Sequence, residues 1–111
     1  MTPTLSPAER AYVRRALGRF LSTYPTVAEG ILLRIRRTGP GAGAPKLPAA
    51  AASLVARGLL RVEEGAGLPR AVFTEAGLVA LRAMMRDRRH ADPVAFAHVR
   101  RELGLEDGEG G

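Results

Sequence analysis

The sequence predicts a mainly α-helical domain with one small β-hairpin. Helix starts are marked by two Ser/Thr-x-x-Glu capping boxes and by a Thr that precedes a third apolar helical stripe. The hairpin is marked by two short apolar runs on either side of a Gly-rich turn. The predicted order is helix, helix, helix, hairpin, helix, helix, in a single domain over residues 1–104 of the 111-residue chain.

Three helices are predicted before the hairpin, over residues 6–22, 26–37 and 47–57. The first begins with the capping box of Ser6 and Glu9, and the second with that of Thr26 and Glu29. The third is rich in Ala, the residue with the highest helix propensity. Residues 38–45, which consist mostly of Gly, Pro and Ala, are predicted to be a loop.

The hairpin and the last two helices follow. Strands are expected over residues 59–63 and 70–73, after Gly58 as a left-handed helix cap. Thr74 is predicted to cap the next helix, and the two last helices together span residues 75–103. The acidic and Gly-rich residues 105–111 are predicted to form a disordered tail.

The composition excludes several classes of function. The chain has no Cys, which excludes disulfides, thiolate zinc sites and cysteine nucleophiles. It has no apolar run near the roughly 20 residues of a membrane span and no secretory signal pattern, so we expect a cytoplasmic protein. His90 has no metal-ligand partner at i+4 and His98 has only Glu102 there, so no metal or cofactor is expected, and nothing in the sequence indicates an enzyme.

The charge balance favours a polyanionic partner. Seventeen Lys and Arg residues face eleven Asp and Glu residues, which gives a formal net charge of +6. Such an excess favours phosphate contacts and counterion release. Part of the Arg excess is typical of a GC-rich genome.

Residues 54–62 (LVARGLLRV) and 71–77 (AVFTEAG) resemble the matching stretches of the MarR and PadR families of bacterial transcription regulators. The resemblance covers about residues 46–85. It implies a winged helix-turn-helix domain, with the helix-turn-helix and wing in residues 26–74 and dimerising helices in residues 6–22 and 75–103. A regulator of this kind binds double-stranded DNA.

The sequence departs from that pattern before the expected recognition helix. A helix-turn-helix needs a short helix and a tight turn there, but residues 39–45 are rich in Gly and Pro. Either residues 26–37 serve as the first helix with an enlarged turn, or the short helix is missing. The recognition helix also carries few side chains that read bases.

Two functions from different classes follow. In the first, the chain is a DNA-binding transcription regulator of modest specificity that docks the helix over 47–57 in the major groove and the hairpin over 59–73 on the adjacent backbone. The predicted DNA contacts are Lys46, Ser53, Arg57, Arg61, Arg70 and Arg37. In the alternative, these residues are a solvated rim, and the domain is a protein–protein interaction module that has lost DNA binding. The Ala-rich helix, the acidic wing with Glu63 and Glu64, and the altered turn favour it.

A homodimer is expected from the apolar stripes of the first and last helices. A small winged core covers only part of these stripes, and exposed apolar patches of that size mark interfaces. The expected contacts are Phe20, Leu21, Met85 and Phe96. The competing prediction is that the terminal helices fold back on each other and complete the core of a monomer.

Overall fold

The computed structural model describes residues 3–65 and 67–105. In this part of the chain the elements are α1 (Pro7–Leu17), β1 (Ile31–Leu32), β2 (Arg34–Ile35), β3 (Pro45–Lys46), α2 (Ala49–Ala56), β4 (Leu60–Glu63), β5 (Arg70–Phe73), α3 (Glu75–Arg86) and α4 (Ala97–Glu102). An antiparallel sheet has the order β1-β5-β4, and β2 pairs with β3 in a separate hairpin. The fold is a small mixed α/β domain. None of its described helices has the length and apolarity of a membrane span.

The segment from α2 to α3 confirms the sequence prediction. Gly58 has a φ of 74° and turns the chain from α2 into β4, which pairs with β5. Thr74 caps α3, because its side-chain oxygen accepts a hydrogen bond of 3.0 Å from the Gly77 N–H. A Cβ on Gly77 would lie 1.9 Å from the Leu59 carbonyl oxygen, so only a glycine lets α3 lie directly on the start of the hairpin.

The prediction of a helix over residues 26–37 is wrong. The capping contact does form, with 3.2 Å between the Glu29 nitrogen and the Thr26 hydroxyl, but the helical turn ends there. Gly30 has a φ of 79°, and a Cβ on it would lie 2.7 Å from the Ala71 carbonyl oxygen. This glycine therefore turns the chain and lets β1 approach β5. Buried and exposed residues then alternate, as in a strand.

The β2–β3 hairpin stands where the resemblance required a helix. Arg34 lies opposite Lys46. Beyond them, backbone hydrogen bonds join Arg36 to Ala44 and Gly43, at 2.9 and 2.8 Å. The Gly/Pro stretch is the tip of this hairpin rather than an enlarged turn. Within the described residues no helix lies between α1 and α2, so the alternative of a missing short helix holds.

The outer helices are shorter than predicted. Instead of continuing to residue 22, α1 ends at Leu17 before Gly18, and Phe20 and Thr23 pair through two backbone hydrogen bonds in the turn that follows. The last helix begins at Ala97 rather than near Asp92. The Asp92 carboxylate instead accepts weak hydrogen bonds, at 3.4 and 3.3 Å, from two backbone N–H groups of the turn before α4.

The terminal helices complete the core of a single chain. Met85 is fully buried and Phe96 is 6 % exposed, so these two residues, which were expected at a dimer interface, pack inside the domain. Val99 of α4 joins the same core as Val13 of α1. Of the four expected dimer contacts, only Phe20 and Leu21 lie on the surface, at 71 % and 78 % exposure.

The predicted tail over residues 105–111 lies, except for its first residue, outside the described residues. Leu105 is half-buried against the core, and its N–H donates to the Arg100 carbonyl oxygen over 2.7 Å. The folded part of the chain therefore includes Leu105, which lies past the predicted boundary at residue 104.

Candidate nucleic-acid interface

The β2–β3 hairpin carries cations on one face, and residues 34–46 are called the basic hairpin below. Arg34 and Lys46 are directly opposite each other in the strand register. Arg36 lies two residues beyond Arg34, so its side chain points to the same face. Like charges at directly opposed positions destabilise a strand pair. The hairpin therefore holds an arrangement that an anion would stabilise.

The cations of the basic hairpin are exposed and have no counter-ion among the residues that the structure describes. Across residues 3–65 and 67–105, no side-chain hydrogen bond or ion pair involves Arg34, Arg36, Arg37 or Lys46. These four side chains line an open groove together with Ile35, Thr38 and Leu68. None of the described residues that line it is acidic, and Leu68 comes from the turn between β4 and β5. The groove is thus a positively charged concave surface between two hairpins.

The segment that contains this groove has no acidic residue, and four of its six cations line the groove. Residues 30–62 contain six cations and no acidic residue, whereas the rest of the chain has eleven of each. The whole formal charge of +6 therefore lies in this one segment. On the predicted helix over 26–37, Arg34 and Arg36 either add to a DNA-facing surface or complement the charge of the helix C-terminus, and the second interpretation leaves them out of the predicted DNA contacts. The acid-free stretch is the signal that identifies them.

Ser53 and Arg57 of the predicted recognition helix both bind a buried carboxylate, that of Glu9. Glu9 of α1 is 1 % exposed, and its Oε2 accepts a hydrogen bond of 2.6 Å from the Ser53 hydroxyl. Its Oε1 forms an ion pair with Arg57 Nη1. The other guanidinium nitrogen of Arg57 donates to the Thr4 carbonyl oxygen over 2.8 Å. Both predicted DNA contacts therefore join α2 to the N-terminal segment and α1.

The Glu9 carboxylate is held in its charged form. Burial raises its pKa, but the hydrogen bonds from Ser53 and Ser6 and the charge of Arg57 act in the opposite direction and outweigh it. The pKa of Glu9 consequently lies below its ordinary value. With its capping bond to the Ser6 N–H, at 2.8 Å, Glu9 connects the start of α1 to α2.

The outward face of α2 is left with small apolar residues. Its exposed residues are Ala49, Ala52, Ser53 and Ala56. Base edges are read by Arg, Lys, Asn, Gln, Ser or Thr side chains, and the one such group here is the hydroxyl bound to Glu9. The geometry of α2 therefore suits close packing against a surface better than hydrogen bonding to bases.

The predicted contacts on the second hairpin also have partners. Arg61 forms an ion pair with Glu63 on the same strand, and both side chains are exposed. Arg70 is half-buried, and its Nη1 donates to the Glu29 carbonyl oxygen over 3.1 Å. Of the six predicted DNA contacts, Lys46 and Arg37 lie in the basic groove without a partner among the described residues.

A second cluster of arginines differs from the basic hairpin because most of its side chains have partners within the protein. It lies beside the start of α1 and includes Arg10, Arg14, Arg88 and Arg89. The first two donate to backbone carbonyl oxygens, at 2.7 and 3.0 Å. Arg89 binds Asp87 through both its side chain and its backbone, and these hydrogen bonds lower the pKa of Asp87 to about 2. Three of these four arginines therefore already have hydrogen-bond partners within the protein.

Within the described ranges, no group of three His, Cys, Asp or Glu side chains is placed to hold a metal ion. His98 binds the Leu17 carbonyl oxygen through Nε2 at 2.8 Å, and its ring meets Tyr24 edge-on at 5.4 Å. The basic groove is therefore the best candidate for a functional site, and its chemistry suits the binding of an anion.

No protein-family model, no curated protein and no solved structure matches this chain.

Proposed function

We propose that this protein binds duplex DNA through the phosphate backbone and acts as a regulator of transcription with modest sequence specificity. The observation that supports the proposal most strongly is the set of four exposed cations on the basic hairpin, none of which has a partner in the described part of the chain. Phosphate oxygens are the natural partners of such a set, because phosphate contacts supply most of the sequence-independent affinity of DNA-binding proteins.

The binding mechanism follows from the register of the hairpin. Arg34 and Lys46 repel each other in the free protein, since they are directly opposite. A phosphate backbone along this face neutralises both charges and releases its condensed counterions into solution. Arg36 and Arg37 continue the cationic surface toward the tip. The free energy of binding is then mainly electrostatic.

The segment from α2 through the β4–β5 hairpin to α3 supports a domain of winged-helix type. It keeps the turn at Gly58, the paired strands and the cap at Thr74 on which the resemblance to bacterial regulators rests. In this proposal the basic hairpin stands in place of the missing short helix and is the main DNA-binding element instead of α2. The helix α2 positions it, since Lys46 lies three residues before that helix.

A binding titration with matched double variants tests the proposal. The substitution pair R36Q/K46Q removes two cations from the hairpin, and R86Q/R88Q removes two from exposed positions outside it. Fluorescence anisotropy with a labelled duplex in 50 mM salt is expected to show about a tenfold loss for the first pair and less than about a twofold change for the second. Equal losses for the two pairs would contradict a hairpin-centred site.

One observation favours a protein-binding module as the second candidate. The exposed face of α2 is lined by Ala49, Ala52 and Ala56, which suits close apolar contact with another protein. This candidate predicts no measurable duplex affinity at 50 mM salt. The titration of the unmodified protein therefore separates the two functions before any variant is made.

A further inference from the structure

We infer that the tip of the basic hairpin, residues 38–44, enters the minor groove of duplex DNA. This inference rests on the proposed function and specifies the groove in which sequence is read. Its basis is the juxtaposition of a narrow tip, almost without side chains, and two arginines at its base.

The tip has the shape of a thin ribbon. Residues 39–44 have the sequence Gly-Pro-Gly-Ala-Gly-Ala, so no side chain except the Pro40 ring extends beyond Cβ. Two successive turns fold it, with backbone hydrogen bonds of 3.1 Å from Ala42 to Gly39 and 2.9 Å from Ala44 to Gly41. Paired strands have axes about 4.8 Å apart, so with the radii of their outer atoms a two-stranded ribbon is wider than the minor groove, which is about 6 Å wide. Such a ribbon can enter the groove only edge-on, by its turn, and only if the turn is nearly without side chains.

Internal packing does not explain why the tip is bare. Gly39 and Gly43 have φ values of 77° and 93°, which favour glycine, but a Cβ on either would have no neighbour within 4 Å. Ala42 and Ala44 are exposed and do not have positive φ values. Neither backbone strain nor a neighbouring group restricts these two positions to small residues. A narrow tip that enters a groove accounts for small residues at both.

The charges at the base of the tip fit the same groove. Arg36 lies along it, because a Cβ on Gly41 would be 3.7 Å from the Arg36 Cδ, and Arg37 is the next residue. Narrow minor grooves have an enhanced negative potential that attracts arginine side chains. Pro40, the one bulky apolar residue of the tip, belongs to the class of side chains that insert between base steps.

This geometry fixes which sequences are favoured. In the minor groove, A·T pairs present only acceptors, whereas G·C pairs add the N2 amino group of guanine. That amino group takes space on the floor of the groove and repels the arginines. We therefore expect a preference for A·T-rich duplexes that depends on this amino group and not on the major-groove edges of the bases.

Duplexes that contain inosine provide the test. Inosine keeps the N7 and O6 acceptors of guanine in the major groove but lacks its N2 amino group in the minor groove. With A·T, G·C and I·C duplexes of equal length, the affinity for I·C is expected within about twofold of A·T and about tenfold above G·C. If I·C instead behaves like G·C while all duplexes bind, the minor-groove inference is wrong and the proposed function stands. If none of the three binds, both fail.

A pair of tryptophan variants separates the tip from α2. Ala42→Trp fills the tip without changing charge, and Ala52→Trp adds the same bulk to the exposed face of α2. Ala42→Trp is expected to lower the affinity for A·T duplexes about tenfold and to abolish the difference between I·C and G·C, while Ala52→Trp leaves both unchanged. Melting temperatures close to that of the unmodified protein establish that both variants fold. The reverse pattern would place α2 in the groove and overturn the inference.

Discussion

Glu9 and Arg57 form an ion pair that joins the first helix to the segment expected to read DNA. Because Glu9 is buried and Ser53 donates to its other oxygen, the polar groups of α2 hold the fold together. Because Arg57 is already paired with Glu9, the cations available to a ligand are those of the basic hairpin and not those of α2.

Replacing Glu9 by Ala is expected to lower the free energy of unfolding by about 3 kcal/mol, since it removes the side-chain half of the capping box and the carboxylate that accepts from Ser53 and Arg57. Urea unfolding followed by circular dichroism measures the loss. Glu75→Ala, at an exposed first-turn position of α3, is the control and should cost no more than about 0.5 kcal/mol. Equal losses would mean that the buried carboxylate has no special role.

The same carboxylate predicts how stability depends on pH. The pKa of Glu9 is lowered by folding, so its contribution is fully present above the ordinary value of 4.5 and is lost as pH falls through the folded-state pKa. The difference in unfolding free energy between the unmodified protein and Glu9→Gln should therefore be constant near neutral pH and shrink below about pH 4.5. A difference that grows on acidification would contradict a lowered pKa.

Gly77 tests the contact between α3 and the start of the second hairpin. Gly77→Ala is expected to cost about 3 kcal/mol, because its Cβ would lie 1.9 Å from the Leu59 backbone oxygen. Thermal unfolding should show a fall of at least about 12 °C. Gly65→Ala is the matched control, since Gly65 has no positive φ and a Cβ there would meet nothing within 4 Å. A similar fall for Gly65→Ala would show that the close approach is not the cause.

Local signals predicted the second half of the fold better than the first. Gly58 and Thr74 specify a turn and a cap by their own chemistry, and the hairpin between them was predicted within one residue. The helix over 26–37 failed because a true capping contact at Thr26 was followed by Gly30, whose role depends on the approach of β5. That approach is a tertiary contact, and no local pattern contains it.

The candidate site was predicted in part for the same reason. The sequence predicts Lys46 and Arg37 as contacts. It leaves Arg34 out because, at the end of a predicted helix, that side chain complements the helix C-terminus as well as it faces DNA, whereas in the structure it pairs with Lys46 across two strands. Ser53 was selected as an exposed polar residue of a helix. Its actual partner, Glu9, is 44 positions away in sequence, a separation that helical periodicity does not show.

Met85 tests whether the terminal helices complete one chain or join two. Met85→Ala is expected to lower the free energy of unfolding by about 2–4 kcal/mol without changing the oligomeric state, because the residue is fully buried in the chain's own core. Phe20→Ser, at a position 71 % exposed, should cost less than about 0.5 kcal/mol. Sedimentation velocity of both variants reports the assembly. A dimer that dissociates on Met85→Ala at full stability would contradict the described core.

The salt dependence of duplex binding tests the central claim most directly. Plotted as the logarithm of the binding constant against that of the salt concentration, the slope should be about −3 for the unmodified protein, from three to four phosphate contacts on the hairpin. Arg34→Gln and Lys46→Gln should each reduce its magnitude by about 0.9, while Arg86→Gln leaves it unchanged. A slope near zero, or one that responds to Arg86 and not to the two hairpin cations, would contradict the account.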